Sequence, residues 1–155
     1  MIPNLFSKIP IPKNIPKELE RKIREFSRGR SKEEFLKRSF FYLASRYPGS
    51  RVNFVLKFGR LFEKDIFVIW NYRDYVHCTT MNYLFRIMLV KSGLFKDDDI
   101  QFKLTNSWYI MIHQYLDIRL PGNKHVTLDP WNYPFGIDYG KYGHGFSSIH
   151  MNPIR

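Results

Sequence analysis

Apolar residues recur at helical spacing up to about Ser92 and at strand spacing after it. Residues 1–15 follow neither period. Prolines at 3, 10 and 12 predict an extended arm there with little structure of its own. Pro16 suits the first turn of a helix that KELERKIREFSRG carries to Gly29, with Ile23 and Phe26 as a narrow apolar stripe. Ser31 followed by Glu34 is a capping-box signature. Phe35, Leu36, Ser39, Phe40 and Leu43 then keep helical spacing until Pro48-Gly49. RVNFVLKFGRLFEK (51–64) fits a helix slightly better than a strand, and DIFVIWNYRDYV (65–76) reads equally as a buried strand or a short helix. Between Thr79 and Ser92, the positions of Tyr83, Leu84, Ile87, Met88 and Val90 predict a largely buried helix that Gly93 stops. A turn at residues 97–99 leads into three strands, IQFKL, WYIMIHQYLDIRL and KHVTLDP, the last two joined by a tight hairpin at Pro121-Gly122-Asn123. Helices followed by an antiparallel sheet make the chain α+β.

At 155 residues the chain is the size of one domain, 1–155, with an arm (1–15), a helical part (16–64) and a core (65–140). Its single cysteine excludes an intramolecular disulfide, as expected in a reducing compartment. The proline-broken N-terminus has no apolar h-region, and no run approaches the ~18 apolar residues of a spanning helix. A cytoplasmic protein without a transmembrane segment is expected.

Charge changes the picture more. Of the net +11, residues 1–64 carry +10 (16 Lys/Arg against 6 Asp/Glu), and residues 65–155 carry +1 (9 against 8). The basic front half reads either as a solvated helical face, with Glu interleaved among its Lys and Arg, or as a candidate contact for nucleic acid or another polyanion such as anionic lipid.

The candidate chemistry lies in the back half. Alternation along the second strand puts His113, Tyr115, Asp117 and Arg119 on one face, and Ile110, Ile112, Gln114, Leu116 and Ile118 on the other. On the return strand His125, Thr127 and Asp129 share a face. A turn centred on Pro121 sets His113 opposite Asp129 and Asp117 opposite His125; a turn centred on Gly122 makes His113 and Asp129 diagonal neighbours. In both registers imidazole and carboxylate come within roughly 5–8 Å at Cβ level. Cys78, at the start of the buried helix, would then have what a thiol nucleophile needs. A base takes its proton, a helix dipole stabilises the thiolate, an acid orients the base, and nearby backbone N–H groups bind an oxyanion. One thiolate and scattered histidines do not form a metal-site spacing, and no cofactor motif is present. Trp70, Trp108 and Trp131 read as core or groove wall. GIDYGKYGHGFSSIH (136–150) reads as a loop that either runs over the surface or lines a cleft.

CTTMNYLFRIMLVKSG resembles the cysteine helix of the transglutaminase-like cysteine protease superfamily, in which a cysteine opens an apolar helix closed by glycine. IHQYLDIRLPGNKHVTLDPW resembles that superfamily's histidine strand, Pro-Gly turn and Leu-Asp-Pro ending. The resemblance covers roughly residues 70–131. It implies a papain-like fold with the nucleophile helix packed on an antiparallel sheet, and a triad of Cys78 as nucleophile, His113 as base and Asp129 as orienting acid. It also selects His113 and Asp129 over His125 and Asp117. This chain departs from the pattern at His77 and at Thr79-Thr80, which flank the cysteine. It departs again at Tyr115, Asp117 and His125, where the family usually has Trp, Glu and an aromatic.

The resemblance implies a cysteine-dependent amide hydrolase, a peptidase or isopeptidase acting on a peptide or protein through a thioester. The alternatives are a transglutaminase-type acyltransferase with the same triad, and a basic nucleic-acid-binding module whose triad is inactive.

Overall fold

The computed structural model describes residues 2–107 and 111–145. Trp108, the start of the expected second strand at 108–110, and the end of the Gly/Tyr-rich loop at 146–150 lie outside the described residues.

The chain is α+β, the described residues forming five α-helices in sequence before a three-stranded antiparallel sheet of order β1-β2-β3. Helix α1 (Lys17–Ser27) buries Leu19, Ile23 and Phe26, one stripe of an otherwise charged helix. Helix α2 (Lys32–Arg46) starts on the expected capping box. The Glu34 N–H donates to Ser31 Oγ (3.2 Å) and the Ser31 N–H to a Glu34 carboxylate oxygen (3.3 Å). Its buried side chains are Phe35, Leu36, Ser39, Phe40, Leu43 and Ala44, the spacing visible in the sequence.

Both ambiguous segments are helical. Residues 51–64 form α3 (Arg51–Leu56), capped by the Ser50 hydroxyl, and a 3₁₀ turn (Phe58–Phe62). Residues 65–76 hold α4 (Ile66–Asn71), capped by the Asp65 carboxylate, which accepts from the Phe67 N–H at 2.8 Å.

Helix α5 (Cys78–Lys91) is the centre of the molecule and is buried from Cys78 through Leu89. It packs against β2 on one side and α2 on the other. Just past its end Gly93 takes a left-handed conformation (φ 73°), the usual glycine stop. Strands β1 (Ile100–Ser107), β2 (Met111–Leu120) and β3 (Lys124–Leu128) follow. One apolar core runs from Leu19 on α1 through Leu43, Leu84 and Met88 to Leu116, Leu128 and Trp131.

The β2–β3 register pairs Leu116 with Leu128 and Ile118 with Val126, so the hairpin is centred on Gly122. The connection is a 3₁₀ turn (Pro121–Asn123) in which Gly122 (φ 74°) and Asn123 (φ 58°) are left-handed. Strand β3 ends at Leu128, one residue before Asp129. The aspartate is therefore not a strand residue, as the alternation implied, but the N-cap of a 3₁₀ turn, Pro130–Phe135.

The proline-rich arm has no regular structure but is fastened along its length. Arg86 of α5 donates to the Ile9 carbonyl (2.6 Å), Lys91 to the Lys13 carbonyl (2.8 Å), and Gln114 of β2 to the Asn4 carbonyl (2.5 Å). Among the described residues no helix is long and apolar enough to cross a membrane.

Gly49, between α2 and α3, lies so close to the turn after β3 that a Cβ there would sit 2.0 Å from the Trp131 carbonyl oxygen. Backbone cannot yield to that contact as a side-chain tip can. Gly49→Ala is expected to cost about 1–3 kcal/mol, the usual range for overpacking. Urea unfolding of the two proteins checks it: an unchanged midpoint would mean that the approach of the two segments is not tight.

Candidate active site

The site forms where the start of α5 meets the end of the sheet. Cys78 is the first residue of α5 and His77 its N-cap, but the His77 side chain does not cap the helix. Its ring is buried and turned the other way, with Nε2 3.1 Å from the Lys57 carbonyl oxygen and Nδ1 3.3 Å from the Tyr75 hydroxyl. Burial pushes the His77 pKa down and Arg60 lowers it further, against the pull of the Lys57 carbonyl. The ring is therefore neutral at neutral pH. A carbonyl can only accept, so the proton sits on Nε2 and Nδ1 accepts from Tyr75. With both nitrogens occupied, His77 is excluded as a base for its neighbour. Because no side chain caps α5, the positive end of its dipole falls beside the Cys78 sulfur.

The structure brings His113 and Asp129 together. The ring of His113 donates from Nε2 to Asp129 Oδ2 at 2.8 Å, and both side chains are buried, at 4% and 1% exposed. The carboxylate is saturated with donors. Its Oδ2 also accepts from Asn132 Nδ2 (2.9 Å) and the Gly143 N–H (2.9 Å), and its Oδ1 from the Asn132 N–H (3.3 Å). The Asn132 amide nitrogen lies 3.0 Å from His113 Nε2 as well. With its nitrogen turned to the carboxylate, that amide leaves Oδ1 buried without a partner among the described residues.

Burial alone would lower the His113 pKa. The Asp129 charge and hydrogen bond override it, and Cys78 acts in the same direction by hydrogen bonding and by charge, so the pKa is raised to about 10. Since Nε2 belongs to Asp129, Nδ1 is the ring nitrogen left for the thiol. Cys78, His113 and Asp129 are thus one interacting group, with the imidazole in the middle. The Cys78 charge also reaches Tyr75, whose pKa is raised first by burial and then by that charge.

Trp131 joins the two sides of the site. Its Nε1–H donates to the Val76 carbonyl (3.0 Å), two residues before the cysteine, while its ring lies 5.7 Å from the His113 ring and 6.4 Å from that of Tyr75. The Gly/Tyr-rich segment does not simply run over the surface. Beyond the Gly143 contact, Gly145 N–H donates to the Asn106 carbonyl (2.7 Å), and Tyr142 stacks on Tyr115 at 4.1 Å.

Other candidates lie elsewhere. His125 and Asp117 form a separate, more exposed pair (3.0 Å) nearer the turn. Gln114 points away from His113, its Nε2 donating to the arm and its Oε1 accepting from Asn82 of α5. Among the described residues no group of three or more His, Cys, Asp or Glu could hold a metal ion. Sequence reasoning missed Asn132 and Gly143. Asn132 had one usable signal, its place three residues after an Asp-Pro that caps a turn; Gly143 had none.

The chain matches no protein-family model, no curated protein and no solved structure.

The raised His113 pKa gives a stability signature. The folded value, about 10, lies above the ordinary ~6.5, so the stabilisation is complete below about pH 6.5 and fades as pH rises toward 10. Thermal melts across that window should show wild type losing its advantage over Asp129→Asn as pH rises. A difference between the two that stays constant with pH would show that the imidazole is not held protonated by the carboxylate.

Proposed function

We propose that the protein is a cysteine-dependent amide hydrolase, a peptidase or isopeptidase of the transglutaminase-like, papain-fold kind. The observation that carries this reading is the buried 2.8 Å His113–Asp129 pair whose imidazole also interacts with the thiol at the head of α5. A buried ion pair adds little to stability over well-packed apolar residues. Its arrangement against a cysteine at a helix N-terminus is what nucleophilic catalysis requires.

In this mechanism His113 Nδ1 already holds, in the resting enzyme, the proton that the Cys78 thiol has given up, and the thiolate of that ion pair attacks an amide carbonyl carbon. The tetrahedral intermediate places its oxyanion against backbone N–H groups of the first turn of α5. Its collapse breaks the C–N bond, the imidazolium gives its proton to the leaving amine, and a thioester remains on Cys78. His113 then activates water, which attacks the thioester and releases the acid and the free thiol. Asp129 stays ionised throughout and holds the ring with Nδ1 toward the sulfur. Asn132 and Gly143 fix the carboxylate in turn.

An activated acyl donor such as p-nitrophenyl acetate tests the chemistry without knowledge of the natural substrate. Wild type should release a burst of nitrophenol and carry an acetyl group on Cys78 that hydroxylamine removes. Cys78→Ala should show neither. His113→Ala should acylate more slowly by a factor on the order of 10²–10⁴, the usual contribution of a positioned acid–base group. Equal acylation rates with and without His113 would overturn the assignment.

A further inference from the structure

Large apolar side chains are exposed along one short stretch of the chain. Val52, Val55 and Leu56 on α3, Phe58 and Phe62 on the 3₁₀ turn, and Phe67 and Val68 on α4 are each between 40% and 75% exposed. Residues 52, 55 and 56 share one helix face, and the Phe58 and Phe62 rings pack edge to face at 5.7 Å. Solvated loops do not carry such a sequence by chance. A concentration of this kind on a folded protein marks a contact surface.

Charge decides what covers it. Residues 51–68 hold four basic residues (Arg51, Lys57, Arg60 and Lys64) against two acidic ones, within a front half that carries a net +10, although Lys57 and Arg60 are paired with Asp74. A second copy of the chain would bring two such cationic halves together, so self-association through this surface works against its own field. Nucleic acid would satisfy the charge and could stack on Phe58, Phe62 and Phe67, but it leaves the aliphatic part of the patch in water. Val52, Val55, Leu56 and Val68 offer neither a ring for base stacking nor a hydrogen bond. Anionic lipid meets both needs. Acyl chains receive the valines, leucine and phenylalanines, while the exposed Lys64 and the field of the basic front half attract the headgroups.

We propose that residues 52–68 are a docking surface for an anionic lipid bilayer, on which the protein lies without crossing it. The surface adjoins the candidate active site. Phe54 of α3 rests against the His77 ring at 5.1 Å, and the carbonyl of Lys57, just after α3, is the partner of His77 Nε2. Phe54 is on the face of α3 opposite Val52, Val55 and Leu56, so docking through α3 would hold the first turn of α5 about 10 Å, one helix thickness, from the lipid.

Vesicle flotation of the full chain tests this and needs no catalytic activity. Wild type should float with vesicles of phosphatidylcholine and phosphatidylserine, bind vesicles of phosphatidylcholine alone much more weakly, and be released by added salt. Leu56→Ser combined with Phe58→Ser removes two exposed apolar anchors. It should lower partitioning by about tenfold or more while leaving the thermal melt unchanged. The proposal fails if wild type does not float with the anionic vesicles or the double variant floats as well as wild type. It fails equally if the double substitution dissolves a dimer that wild type forms without lipid. Salt-sensitive binding to DNA or RNA with no vesicle binding would assign the polyanion to nucleic acid and likewise overturn it.

Discussion

A carboxylate taken out of water must be surrounded by donors or it will not stay charged. Asp129 is 1% exposed, and its four donors come from three separate elements: β2, the turn after β3 and the loop at Gly143. Each donor has to be there for the others to tolerate the burial. The turn after β3 therefore folds back on its own N-cap, and the following loop is drawn across the sheet end. Gly143 is a glycine for the same reason, since a Cβ there would sit 2.6 Å from Asn132 Nδ2. The position of His113 is thus set by how the charge beneath it is satisfied, and not by β2 alone.

The sequence was most legible where a period survives. The capping box and the buried face of α2 could be read directly, and so could the extent of α5 to within a residue at its start. The α+β class followed. Residues 65–76 were unreadable for a physical reason: Ile66, Ile69 and Trp70 keep a helical step, but Phe67 and Val68, though apolar, face outward and erase the contrast. The same violation of the apolar-inside rule weakened the reading of 51–64. Of the site, strand alternation could bring His113 near Asp129, and it favoured no single register. It could not show that the aspartate leaves the strand, nor find Asn132 and Gly143, because turns and loops have no period to read.

His77 stands directly before the cysteine, and its contacts show what it does there. The residue gives up its capping role to bridge Lys57 and Tyr75. The link between α3 and α5 therefore combines a polar bond from a buried neutral ring to the Lys57 carbonyl with the contact of Phe54 on that same ring. A neutral ring suits this place, since a fixed positive charge beside the thiol would compete with His113 for the thiolate.

The arm has a consequence out of proportion to its appearance. Gln114 is the residue after His113, and its buried amide is satisfied by the Asn4 carbonyl, with the Leu5 carbonyl at 3.4 Å. A protease that clipped these irregular first residues would remove nothing from the candidate site, yet it would leave an unpaired amide nitrogen on the rear face of the strand that carries the imidazole. Damage of that kind would appear as a loosened His113, with every residue of the site still in the chain.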